Sequence, residues 1–114
     1  MSKDAVVRFR QRRKKNLVWV HGGKCSYCGI VSNKMNDFHF HHILPDTKEF
    51  GIGNGNARRL EKDLEESKKC ILLCCKCHAQ LHRGKIYARA ETTYNQERAD
   101  IVIKERYNPG YHNW

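Results

Sequence analysis

Apolar and polar positions divide the chain into short elements. Residues 2–20 read as a helix, with Ser2 placed to cap it and Gly22-Gly23 to end it. Residues 24–30 carry Cys25-x-x-Cys28 in a tight turn. Residues 37–44 alternate weakly, with Phe38, Phe40 and Ile43 as the apolar positions, and predict a strand that Pro45 breaks. Residues 46–56, with Gly51, Gly53 and Gly55, predict a loop. Residues 57–69 are rich in Arg, Glu, Lys and Leu and predict a polar surface helix. Ile71–Leu73 is a short apolar run, read as a second strand. Cys77–His82 should begin a helix that Gly84 ends. Beyond it, Lys85–Ala90 reads as a short extended segment, and Thr92 or Thr93 as the cap of a helix running to about Tyr107. Asn108-Pro109-Gly110 reads as a turn and Tyr111–Trp114 as a tail. The fold class expected is α+β.

Composition limits what these elements can build. The chain has 114 residues, of which 39% are hydrophobic, so one domain with a thin core is expected. A metal staple would supplement such a core. Twenty-two Lys and Arg face 12 acids, a formal charge of +10. That excess calls for a polyanionic partner, most commonly nucleic acid, or for nothing beyond solubility. The charge concentrates in the first helix, where six of the eight residues from Arg8 to Lys15 are basic. Arg8, Arg10, Arg12, Arg13, Lys14 and Lys15 are therefore candidate phosphate contacts, against the plainer reading of a solvated helix face. No signal peptide or apolar run of membrane length is evident, so a cytoplasmic protein with reduced thiols and no membrane partner is expected.

The cysteines carry the strongest local signal. Cys25-x-x-Cys28 and Cys74-x-x-Cys77 are two knuckles whose four thiolates suit the tetrahedral, soft-ligand preference of Zn²⁺. Joined, they would tie the two halves of the chain together. Cys70 and Cys75 remain, and read as small core or surface residues. The histidines also cluster. His39, His41 and His42 lie on the first expected strand, and His78 and His82 lie four apart on the expected helix. That spacing puts His78 and His82 on one helical face, where two imidazoles can share one divalent ion. His41 and His42 are neighbours on a strand and point to opposite faces. One can then hold metal while the other activates water, an arrangement suited to phosphodiester hydrolysis.

The stretches Phe40-His41-His42-Ile43 through Phe50, Lys69-Cys70-Ile71-Leu72-Leu73-Cys74 and Cys77-His78-Ala79-Gln80-Leu81-His82 together resemble an HNH endonuclease. The likeness is to the zinc-knuckle type common in bacteriophages and bacteria, and it covers about residues 23–83. It implies a ββα-metal finger (the His-Me finger) with a zinc knuckle, flanked by helices. The expected organisation is a basic N-terminal helix over 1–22, a nuclease core over 23–84 and a C-terminal extension over 85–114. By position, the resemblance makes His42 the general base and puts His41 where the family has a metal ligand. It matches His78 and His82 to helix ligands of histidine-rich members such as the colicin nucleases. Cys25, Cys28, Cys74 and Cys77 match the structural zinc. The Asn of the family name falls at Lys69, which removes the expected brace of the loop carrying the base and places a cation that can instead meet phosphate.

The implied activity is metal-dependent cleavage of double-stranded DNA, by nicking or double-strand cutting, with one catalytic ion such as Mg²⁺ or Mn²⁺ and 5′-phosphate products. A histidine base must be neutral, so activity should fall below the ordinary histidine range, about pH 6.5. Lys48, Arg83 and Lys85 flank the site and are candidate phosphate grips or ordinary surface cations. The expected setting is a bacterial or phage-infected cell, with a partner in a larger DNA-processing machine possible. The alternatives are a non-catalytic zinc-binding DNA module, an RNA-directed or toxin-like nuclease, and a structural or partner-binding part of such a machine.

Overall fold

The computed structural model describes residues 3–52, 59–87 and 90–104. The expected cap at Ser2, the turn at 108–110 and the tail lie outside them. The helix α1 spans Lys3–Val20, the strand β1 Phe38–His42, the helix α2 Leu60–Ser67, the strand β2 Cys70–Cys74, the helix α3 Cys75–His82 and the helix α4 Gln96–Lys104. Two short 3-10 turns, Met35–Asp37 and Pro45–Thr47, bracket β1. This is a small α+β protein. The helix α1 ends where Gly22 and Gly23 take φ of 102° and 73°, a left-handed turn that lets Gly23 N–H reach the Val18 carbonyl at 2.9 Å.

The two strands pair antiparallel, with Phe40 opposite Leu72 and His42 opposite Cys70. Strand alternation then sorts the side chains. Phe38, Phe40 and His42 share one face of the sheet with Leu72, and Phe38 and Leu72 pack there on Val18 of α1 and Met35. His39 and His41 share the other face with Ile71 and Leu73, which pack on Cys25, Cys77 and Leu81. The sheet is thus a partition between a helical layer and a layer made of α3 and the first cysteine turn. Among the described residues no helix is long and apolar enough to cross a membrane.

Three expectations are corrected. The helix expected over 57–69 is not a polar surface helix. Leu60, Asp63, Leu64 and Ser67 form an i, i+3, i+4, i+7 stripe and are all buried. Neither Thr92 nor Thr93 caps the last helix. Asn95 does so, its Oδ1 accepting from Arg98 N–H at 3.0 Å. The threonines instead fasten the chain to β2: Thr92 Oγ1 donates to the Cys70 carbonyl at 2.6 Å, and Thr93 Oγ1 accepts from Leu72 N–H at 3.1 Å. Residues 85–87, the described start of the segment expected to be extended, instead curve through bends at Lys85 and Ile86. One core cluster joins α1, α2 and α4, where Leu17 and Val20, Leu60 and Leu64, and Ala99 and Val102 pack together.

Candidate functional site

The two Cys-x-x-Cys turns meet. One sulfur from each of Cys25, Cys28, Cys74 and Cys77 lies within 4.8 Å of all the others, and Cys28 and Cys74 sulfurs are 3.7 Å apart. The backbone prepares both turns. Tyr27 and Cys28 N–H groups point at Cys25 Sγ, each at 3.4 Å, and Cys77 N–H points at Cys74 Sγ at 3.4 Å. The Cys77 bond is also the N-cap of α3, so Cys74 starts the helix that carries Cys77. Ser26 N–H bonds the Leu72 carbonyl at 2.9 Å and docks the first turn on β2. Burial raises the Cys25 thiol, but backbone hydrogen bonds from Cys28, Cys74 and Tyr27 outweigh it and bring it down to about 6. Burial pushes Cys77 up. Four sulfurs in this arrangement fit a tetrahedral ion such as zinc, which would replace the thiol protons. Cys70 is buried and Cys75 exposed, and neither joins the cluster.

The histidine cluster is built on the next turn of the same helix. His41, His78 and His82 offer nitrogens that all lie within 4.8 Å of one another. His78 and His82 Nε2 atoms are 3.0 Å apart, as the i, i+4 spacing demands. Burial and then the charges of His82, His39 and His41 bring His78 down to about 4. His41 is lowered by burial, then by His82 and His42. Both therefore favour the neutral form that can ligate an ion. His39, to which the spacing assigns no role, sits on the same sheet face with Nδ1 2.8 Å from His78 Nδ1. One of those two nitrogens must carry the hydrogen, so His39 fixes the orientation of His78.

His42 faces the other way, toward α2. It is 7% exposed, and its Nε2 lies 2.8 Å from Oε2 of Glu66, which is 2% exposed. The same Oε2 accepts Glu49 N–H at 2.9 Å. Lys69 Nζ donates to Glu66 Oε1 at 2.8 Å and to the Thr47 carbonyl at 2.7 Å. Burial raises the Glu66 carboxyl, but the hydrogen bonds from Lys69, Glu49 and His42 outweigh it and hold it at about 2. Glu66 is therefore an anion that fixes both His42 and the loop behind it, and Lys69 ties that loop to α2. Sequence reasoning missed Glu66 because it lies in an acidic stretch that resembles a solvated face. The buried stripe from Leu60 to Ser67 was the available signal that this helix faces inward.

The basic residues divide. Arg8, Arg10, Arg12, Lys48, Arg83 and Lys85 are exposed. Lys14 is half-buried and its charge reaches His39. Arg13 turns inward, its Nη1 2.6 Å from the buried Asp63 carboxylate. Comparison with protein-family models, with curated proteins and with solved structures found no match for this chain.

Proposed function

We propose that this protein is a metal-dependent DNA endonuclease of the HNH type, with a ββα-metal core formed by β1, β2 and α3. One observation carries the reading. His41, His78 and His82 converge within ligand distance while His42, the next residue on the strand, is held separately by a buried carboxylate. That arrangement separates an ion-holding set from a proton acceptor.

His41, His78 and His82 would hold the catalytic divalent ion, and Cys25, Cys28, Cys74 and Cys77 a structural zinc. The catalytic ion, when bound, supplies positive charge to the phosphoryl group and the departing 3′ oxygen. His42 does the proton work. With Nε2–H donating to Glu66, Nδ1 is left to accept a proton from the attacking water, and Glu66 steadies the imidazolium that results. Lys69 and Glu49 N–H keep Glu66 in place. The Lys69 bond to Thr47 supplies the loop brace that the family's Asn would give, which weakens the case for a non-catalytic module. The basic face of α1 supplies phosphate contacts on duplex DNA.

The test is incubation of supercoiled plasmid with the protein, with and without added Mg²⁺ or Mn²⁺, beside His42→Ala. Nicking or linearisation that requires the ion and is lost in the variant is expected. DNA binding without cleavage under any ion would replace the nuclease with the non-catalytic zinc-binding DNA module.

A further inference from the structure

A second feature of the basic face is a groove of about 540 Å³ between α1 and the segment leading into β1. Arg8, Arg12 and Lys15 line one wall, at the i, i+4, i+7 spacing that aligns them along one helical face. Asn33, Lys34 and Asn36 line the other. One carboxylate, Asp37, shares the lining, and it accepts the Ser32 hydroxyl at 2.6 Å. Among the described residues no ion pair neutralises Arg8, Arg12 or Lys34. Arg13, one residue on from Arg12, is instead paired with Asp63 and does not line the groove. Like charges facing each other across a cleft repel, and an anion between them removes that cost.

We infer that this groove grips one phosphodiester strand of duplex DNA a few nucleotides from the bond to be cut. The amide side chains of Asn33 and Asn36 add neutral donors to the cations, a mixture that suits phosphate oxygens. Two walls, rather than one flat face, clasp a single backbone. The groove adjoins, along the chain, the strand that carries His41. Its second wall runs through Met35–Asp37 directly into that strand, β1. From Phe38 to His41 the strand advances about 10 Å at about 3.3 Å per residue. A DNA strand running alongside β1, at about 3.4 Å per nucleotide, would then meet the groove about three or four nucleotides from the cluster. This register rests on the nuclease reading, whereas the grip on phosphate does not.

The test uses the full zinc-loaded chain in a His42→Ala background, so that the DNA stays intact. Affinity for a short duplex is measured across salt concentrations. Arg8→Gln/Arg12→Gln/Lys34→Gln is compared with Lys24→Gln/Lys76→Gln/Lys104→Gln, an equal change of charge placed away from the groove. Each phosphate that a cation no longer neutralises lowers the slope of log K against log salt by about 0.9, so the groove triple should lose about 2.7 and the control triple less than about half of that. Replacing the phosphates three and four nucleotides from the cut with methylphosphonates should weaken the parent chain and leave the groove triple unmoved. Equal slopes in the two triples would overturn the inference, because net charge alone would then explain binding. An unchanged slope in the groove triple would overturn it in favour of an acidic protein occupant. A slope reduction confined to the groove triple, in a protein whose unmutated form nicks no plasmid, would uphold the grip and refute only the nuclease reading.

Discussion

The cysteine and histidine clusters share one helix and meet at Cys77 and His78, yet their surroundings differ. Three of the four cysteines are buried, among Ile71 and Leu73. None of His41, His78 and His82 is buried, and His82 is exposed. A closed set of four sulfurs suits an ion that holds the fold, whereas three imidazoles open to solvent leave room for a further ligand. On the proposed reading, the same short segment carries one site that stabilises and one that reacts, and burial separates them.

The largest effect should come from the cysteine side. Cys25→Ser removes a buried ligand, and structural zinc contributes about 10 to 16 kcal/mol in small zinc domains, more than most domains have to spare. The variant should lose both bound zinc and cooperative unfolding, read by metal analysis and circular dichroism. His78→Ala should leave both in place, and if it too unfolded the chain, the contrast between the clusters would collapse.

His42→Ala should lower plasmid cleavage by about 100-fold or more, the scale of a lost general base, and should leave zinc content unchanged. Glu66→Gln probes the support behind it. Loss of a buried charge that serves His42, Lys69 and Glu49 should cost about 3 kcal/mol in a denaturant titration. It should lower kcat by about 10- to 100-fold with KM little changed, because the base is still present but no longer held.

Acid should act on the fold by a separate route. His21 is buried with its Nδ1 2.6 Å from Thr93 Oγ1, and burial brings it from 6.5 to about 3. Between those values the unfolded chain takes a proton that the folded chain refuses, so stability falls as pH drops from 6.5 towards 3. Glu66, held at about 2 against 4.5, adds a further loss between 4.5 and 2. Thermal midpoints should therefore begin to decline below pH 6.5, and His21→Gln should flatten the upper part of that decline. The smallest effect should separate two neighbours on α1. Arg13→Gln, which strands buried Asp63, should cost about 1 kcal/mol or more, and Arg12→Gln, on the exposed side, less than about 0.5 kcal/mol.

Much of this arrangement was legible in the chain because it depends on local spacing. The cysteine pairs, the His78–His82 interval and the strand alternation that separates His41 from His42 are short-range patterns, and the structure brings those residues together as the spacing implies. What spacing does not reveal is which polar residues a third element will face. Glu66 and Asp63 look like surface acids until α2 is laid against His42 and Arg13. Lys69 looks like a surface cation until its long side chain is seen to reach the Thr47 carbonyl. His39 gains a partner only when α3 crosses β1.

The division of labour between the two clusters is tested most directly by adding ions back to metal-free protein while folding and plasmid cleavage are followed on the same sample. Folding should be complete with the first equivalent of zinc, with cleavage appearing only when a second divalent ion is supplied and not at all in His78→Ala. Folding and cleavage that emerged together on a single ion, or cleavage that survived in His78→Ala, would contradict the account.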